Sequence, residues 1–423
     1  MTKKLCRNLA VAMSTAVVLS GLSGCQSPGG GNTATTAPAA TTAPAATKAA
    51  ADGVSQAAGD SVIKEKRDIV IIDAGGEQDM FGEIVEMFKA EYPDYVKDVV
   101  WIPASTGEQV SKLAAERDAK KPYTTLCTNG YDTVAAGIDA EVYINILEKY
   151  PDRFADTIAN FNDDSKIQLD KGLGYGIPHL NSIGGPMITY WPDKVPNPPK
   201  NLDELLAFCK ENPGKFAYPR PSNSGAGYAF LQGMPYLAKE ENPDDPESWT
   251  NVWDYLKEMD QYIDYYTTGS ALLYRDFNEG TRWMITTAVG YETNQRVLGA
   301  MDPSCKQLFL DDLHWVTDSN FWTIPTGLDP QDEELSLLFM EFTLRPEIQA
   351  MLYDHGFMYP GPVLKGVTLD QAPPESQDAL NAVITEELLD GIENYPHVGP
   401  MTMSQLVKAM EMWDDKIGAN KLK

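Results

Sequence analysis

From Arg67 onward the chain alternates short apolar, β-branched runs with longer segments in which apolar residues return every three or four positions. The run DIVIIDAGG (68–76) ends in two glycines. Met80, Phe81, Ile84, Val85 and Phe88 follow at helical spacing until Pro93, which predicts strand, glycine turn and helix. DVVWIPAS (98–105) predicts a second strand, TGEQVSKLAAERDAK a helix capped by Ser105 or Thr106, and YTTLCTNG (123–130) a third strand with its turn. Strand and helix alternating at this spacing predict an α/β fold on a mostly parallel, doubly wound sheet. Ligands of such sheets gather beyond the strand C-termini, here 73–77, 103–106 and 129–132. Further along, Asn201 opens a helix with Asp203 and Glu204 in its first turn, where carboxylates favour the helix dipole, and NPG (212–214) stops it. KFAYPRP reads as a short strand, and SNSGAGYAFLQGM as a helix that begins on Ser and Asn and exposes N–H groups and hydroxyls. A plain N-cap that binds nothing reads equally well from these residues. In ESWTNVWDYLKEMDQYIDYY, Trp249, Trp253, Leu256 and Ile263 mark the core face of an amphipathic helix, and TRWMITTAVGYETN predicts a strand that ends in a polar turn.

The first 66 residues follow neither period. Lys3, Lys4 and Arg7 precede a mostly apolar stretch from Leu9 to Leu22, the layout of a secretory signal and shorter than the roughly 20 residues of a membrane span. Its end, Leu22-Ser23-Gly24-Cys25, resembles a bacterial lipobox, which implies removal of residues 1–24 and lipidation of the Cys25 thiol; an ordinary signal peptide with an incidental cysteine is the alternative. Several acyl chains on one residue would hold the chain in a membrane. The segment that follows, rich in Ala, Thr, Pro and Gly with a repeated TTAPAAT, has too little apolar surface to offset the entropy of ordering, so 25–66 is expected to be the lipidated cysteine and a disordered leash.

Charge narrows the partners. The 423 residues carry 61 acidic and 34 basic side chains, a net charge of −27, which argues against nucleic acid and favours cationic or zwitterionic partners. Beyond the leader, Cys127, Cys209 and Cys305 cannot all pair and form no CxxC, so buried thiols are expected rather than disulfides or a zinc site. AGGEQD lacks the spacing of a dinucleotide fingerprint. No cofactor and no metal is expected.

Four blocks then occur in order behind the lipobox: KGLGYGIP (171–178), NLDELLAFCKENPGKFAYPRP (201–221), NEGTRWMITTAVGYETN (278–294) and SLLFMEFTLRPEIQAMLYDHGFMYPG (336–361). With them the chain resembles the type II periplasmic solute-binding proteins of ABC importers across residues 67–423, and GKFAYPRPSNSGAGYAFLQ resembles a subgroup near the polyamine, ferric iron, thiamine and phosphonate binders. The resemblance implies a two-lobe α/β fold of doubly wound mixed sheets joined by a hinge. Lobe 1 would comprise 67–187 and 296–423, and lobe 2 would comprise 188–295. Crossings are expected near Ser182–Pro186 and Thr293–Gln295, with a third at SNFWTIPTG (319–327). It implies a monomer that holds a small solute between the lobes and passes it to an ABC permease. Family positions place Gly75, Gly76, Glu77, Asn129, Tyr131, Asp132, Asn181, Ser222, Asn223, Ser224, Tyr291, Glu292 and Thr293 at the ligand. Glu77, Asp132 and Glu292 with Tyr131 and Tyr291 would suit a cationic group, and the Ser222–Gly225 helix start an anionic or hydroxyl end.

Two other classes compete. A tethered hydrolase acting on a carbohydrate would need paired carboxylates such as Glu77 and Asp132, but HExxH, GxSxG and a Walker loop are absent and only four histidines are present. A purely structural surface protein is the third reading. Binding without turnover, loss of binding on mutating the cleft, and hinge closure separate the three.

Overall fold

The computed structural model describes residues 62–418 and residue 421; the signal, Cys25 and leash lie outside the described residues. Eleven strands are present among the described residues: β1 (Arg67–Asp73), β2 (Val96–Pro103), β3 (Leu126–Asn129), β4 (Ile177–Gly185), β5 (Met187–Tyr190), β6 (Phe216–Ala217), β7 (Met284–Thr287), β8 (Lys306–Leu308), β9 (Trp315–Thr323), β10 (Pro360–Gly361) and β11 (His397–Val398). They form two sheets. The larger runs β10-β4-β9-β3-β1-β2, with β11 paired alongside the first residues of β9; the smaller runs β6-β7-β5-β8. β1 pairs in parallel with β2 and β3, and β9 runs antiparallel between β3 and β4. The register sets Asp73, Pro103 and Thr128 level at the C-terminal ends of β1, β2 and β3, the edge expected to carry the site.

Local sequence accounts for much of this. Phe81, Ile84, Val85 and Phe88 are buried on or beside the helix Gly82–Glu91. The helix Thr106–Ala119 starts where the Glu108 carboxylate accepts from the Ser105 backbone N–H at 2.8 Å and from its hydroxyl at 2.7 Å. Asn201 accepts from the Glu204 N–H at 3.0 Å to cap Leu202–Glu211. Each sheet has its own core. Ile69, Ile71, Phe81, Phe88, Trp322 and Phe339 belong to the first, and Leu205, Phe216, Tyr218, Trp249, Trp253 and Tyr266 to the second. Cys127, Cys209 and Cys305 are buried free thiols.

The chain passes between the sheets at one expected place and at others that the sequence did not indicate. The first passage is at Pro186, between β4 and β5, inside the expected stretch. The helix Gly225–Leu237 packs there: a side chain at Gly233 would come within 2.3 Å of the Pro186 ring, so only glycine allows this approach. The expected crossing at Thr293–Gln295 instead lies within a helix, Val289–Val297, whose buried face is Val289, Gly290, Glu292 and Thr293. β8 still belongs to the smaller sheet, so the return runs between Leu308 and Trp315, and SNFWTIPTG is largely β9 itself. A further passage follows β11: Met401, Leu406, Ala409, Trp413 and Ile417 join the second core, and the Trp413 indole N–H donates to the Tyr218 hydroxyl at 3.0 Å. The division at 295/296 therefore does not follow the sheets; β8 and the C-terminal helix Met403–Lys416 pack with the second lobe. The segment before β4 holds a helix, Asp163–Lys171.

Candidate functional site

At the end of β1 the chain turns back over its own carboxylate. Asp73 accepts from the backbone N–H groups of Gly76 (2.6 Å), Glu77 (2.9 Å) and Gln78 (3.0 Å), and Gly76 sits at φ +75°, a conformation that favours glycine. Burial, then the neighbouring Glu77 charge, push the Asp73 carboxyl up against the pull of these three donors. Gly75 packs closely on Asn320 and Thr128, where a side chain would meet the Asn320 amide at 2.7 Å. The turn therefore presents Gly76 to solvent but aims Glu77 inward.

Glu77 is fully buried. Its carboxylate is held by His179 Nε2 at 2.8 Å, the Thr128 hydroxyl at 2.8 Å and the Asn320 amide. His179 in turn stacks on Trp322, ring centroids 4.0 Å apart. Glu292, placed by the sequence reading on the opposite wall, is also fully buried. It pairs with Arg296 at 2.7 Å and accepts from Gln307 at 2.9 Å and the Thr189 hydroxyl at 3.3 Å. Both carboxylates thus have protein donors in place of the cationic solute group expected on them.

The remaining expected residues separate into interior and accessible positions. Asn129 donates to the Thr323 hydroxyl at 2.7 Å and is buried under Gln109 and Tyr143. Asn181 is buried and donates to Asn162 and Ser165 at 3.1 and 2.7 Å. Thr293 is buried against Gly356, and half-buried Tyr291 stands edge-on to Tyr274 at 5.2 Å. Ser222 is exposed; half-buried Ser224 stands at the N-cap position of Gly225–Leu237 without a side-chain capping bond and shares a 2.6 Å hydrogen bond with Ser270. Asn223 lies in the 3-10 turn Pro221–Asn223. Asp132 is exposed in the first turn of the helix Tyr131–Asp139 and accepts from the Thr106 hydroxyl at 2.9 Å.

One group of acidic side chains draws on both lobes. Tyr131 and Asp132 come from the helix after β3, Asp318 from the middle of β9, and Tyr228 from the helix Gly225–Leu237, where it packs against the second core. Burial, then the Asp318 charge and more weakly those of Asp132 and Tyr131, raise the Tyr228 phenol well above its ordinary value. Burial, then the Asp132 charge, push Asp318 up to about 6 against one hydrogen bond from the Ser319 N–H. Tyr131 is raised by burial against a hydrogen bond from the Met403 backbone. Thus two carboxylates and two phenols face one region where the lobes meet, without a neutralising cation among the described residues. The sequence reading named Tyr131 and Asp132 but missed Asp318 and Tyr228. The single charged carboxylate between the apolar ends of WVTDSNFW was the available signal for Asp318; Tyr228 carried none beyond its place behind Ser224.

Comparison with known proteins matches this architecture. The family described as bacterial extracellular solute-binding protein matches residues 83–382. Among curated relatives, Protein YnjB of Escherichia coli (strain K12) is 34% identical over 91 residues, 19% of this chain, and the match spans 23% of that protein's length. Among solved structures, an ABC transporter protein from Clostridium perfringens ATCC 13124 superposes with a TM-score of 0.62 at 17% identity, over 84% of this chain and 99% of its own. The spermidine/putrescine ABC transporter substrate-binding protein PotD of Streptococcus pneumoniae gives 0.57 at 12% identity, over 83% and 98%. The periplasmic binding protein AfuA of Actinobacillus pleuropneumoniae, with fructose-6-phosphate bound, gives 0.55 at 14% identity, over 83% and 99%. At these identities the structural likeness is one of fold. The two-lobe α/β expectation holds, the hydrolase alternative has no support, and the chain belongs to the bacterial extracellular solute-binding protein family.

Proposed function

We propose that the protein is a lipid-tethered, monomeric receptor that captures a small polar solute with a cationic or zwitterionic group between its lobes and delivers it to the permease of an ABC importer, without catalysis. The observation that carries this reading is the match of residues 83–382 to the extracellular solute-binding family on a chain whose two sheets each have their own core. A solute that touches both walls gains contacts only when the lobes close, and that differential affinity drives closure. The net charge of −27 favours approach of a cation over an anion. Among the described residues no helix is long and apolar enough to cross a membrane, which agrees with an anchor at Cys25 upstream. That PotD is a spermidine/putrescine protein and AfuA was solved with a sugar phosphate marks two solute chemistries for the fold, of which the carboxylates here favour the first.

The experiment is a thermal-shift screen of polyamines, thiamine species, amino acids, phosphonates and sugar phosphates. A ligand that binds only the folded chain raises its melting temperature in proportion to ln(1 + [L]/Kd). A stabilising solute that is recovered unchanged supports the reading. A solute consumed by the purified protein contradicts it.

A further inference from the structure

We propose that His397 is a proton-operated clasp: its imidazolium ties together the ends of two of the passages between the lobes, and loss of that proton loosens them. The device acts in the solute-free protein, whatever solute is carried.

β11 is only two residues long, yet it stands at a junction. His397 and Val398 pair with Trp315 and Val316, the first residues of β9, and the Trp315 N–H donates to the Pro396 carbonyl at 2.8 Å. The passage at 308–315 therefore ends against β11, and the passage at 398–401 begins from it. Backbone pairing of that length holds little by itself. Side chains hold the rest: the Thr317 hydroxyl donates to the Val398 carbonyl at 3.1 Å, and His397 spans two helices.

His397 Nδ1 lies 2.8 and 3.0 Å from the two Asp164 carboxylate oxygens, and Nε2 lies 2.8 Å from the Ile392 carbonyl oxygen. An ionised carboxylate and a carbonyl can only accept, so both ring nitrogens must carry a proton and the ring is a cation. A neutral ring would turn one nitrogen lone pair against an oxygen. Both helices favour the charges as placed. Asp164 is in the first turn of Asp163–Lys171, where a carboxylate suits the dipole. Ile392 is in the last turn of Glu386–Asn394, where carbonyls run out of helical partners and a cation is favoured.

The neighbouring elements bring few other charges. On Asp163–Lys171, Asp163 is exposed and pairs with Lys166 and Lys365, and the Lys171 side chain lies beside Gly399. On Glu386–Asn394, Asp390 and Glu393 are exposed, and just beyond it the Tyr395 ring lies against Phe309. β9 offers Trp315 and Val316, both uncharged. Burial works against the charged ring, but the Asp164 hydrogen bond and charge, with the Ile392 carbonyl, outweigh it and raise His397 above its ordinary 6.5. A group raised in the fold contributes its full stabilisation at its unfolded value and loses it as pH climbs through the folded one. The clasp is therefore shut at pH 6.5 and opens on the alkaline side. Rotation of the lobes turns about these passages, so pH sets how firmly the pivot is held.

The test uses the full chain without solute. In protein labelled with nitrogen-15 at its four histidines, the His397 ring, identified by its absence in His397→Gln, is expected to show two protonated nitrogens at pH 6 and to titrate above 6.5. Asp164→Asn keeps an acceptor but removes the charge, and its His397 midpoint is expected to fall by about one pH unit. Hydrogen–deuterium exchange, corrected for intrinsic rates, is expected to show protection at 315–316 and 397–401 falling about tenfold between pH 6 and pH 9, the scale of one charge-assisted hydrogen bond, while β1 and β3 stay level. In His397→Gln the same segments are expected to be loose at both pH values and β1 and β3 to match wild type. A ring with one bare nitrogen at pH 6, a midpoint at or below 6.5, or protection of 397–401 that is flat with pH overturns the clasp. So does a fall of the same size in His397→Gln. Should His397→Gln not fold, the wild-type exchange profile decides alone, flat protection again overturning the inference.

Discussion

Glu77 separates a ligand-binding carboxylate from a structural one. In Glu77→Ala, three buried donors, His179 Nε2, the Thr128 hydroxyl and the Asn320 amide, lose their common acceptor. Each orphaned group costs about 1–3 kcal/mol, so we expect a loss on the order of 4 kcal/mol. At roughly 2.1 cal/mol/K of unfolding entropy per residue, the folded body has a melting entropy of roughly 0.75 kcal/mol/K, which converts the loss to a fall of about 5 °C. Glu77→Gln should be much milder, about 1 kcal/mol. Its amide can face Thr128 and His179, which then accept, with the imidazole proton moved to the Nδ1 atom that has no partner now. Differential scanning calorimetry on the three proteins without added solute reads the ladder wild type, Gln, Ala. Wild-type melting of Glu77→Ala, combined with lost solute binding, would refute the reasoning and return Glu77 to the ligand.

The remaining predictions use other parts of the molecule. Asp318 is raised from 3.8 to about 6 in the fold, so its ionised form costs stability that appears as pH rises from 3.8 through 6; Asp318→Asn should gain about 1–2 kcal/mol at pH 7.5 after discounting for its partial exposure, and nothing at pH 3.5, as read by urea titration at both pH values. An unchanged advantage at both would contradict this. Trp413→Ala should cost about 3–5 kcal/mol and strip hydrogen-exchange protection from β5, β6 and β7 before β1 and β3, because that indole packs on Tyr218 and Tyr266 in the second core. Cys25→Ser should leave a folded protein that moves from the membrane pellet to the soluble fraction; retention in the pellet would exclude the lipid anchor.

What the sequence made legible was whatever local pattern determines. β1 and its glycine turn, the helix behind it, the capped helices at Ser105 and Asn201, and the core role of Trp249, Trp253, Leu256 and Ile263 all depend on residues within a turn or two of one another. The misplaced features depend on distant partners. Nothing in MSQLVKAMEMWDDK says which of two cores its apolar stripe will meet, and the answer rests on Tyr218 and Arg220, nearly two hundred residues earlier. The same limit governed the site. Acidic residues are so numerous that Glu77, Asp132 and Glu292 looked alike in sequence, yet the fold buries Glu77 against His179 and Glu292 against Arg296 and leaves Asp132 exposed. Asp318 was hidden by the opposite effect. It reads as one of four consecutive polar residues, Thr317 to Asn320, and becomes notable only because the fold denies it a counter-ion.

The central claim is capture of a solute between two lobes, and small-angle scattering tests it most directly. The full chain is measured alone and with saturating amounts of the compound that most raises its melting temperature, with far-UV circular dichroism on the same samples. The account predicts a smaller radius of gyration at unchanged helix content, because closure is rotation about the passages at Pro186, 308–315 and 398–401 with both sheets intact. Superimposable scattering profiles at saturation would contradict it.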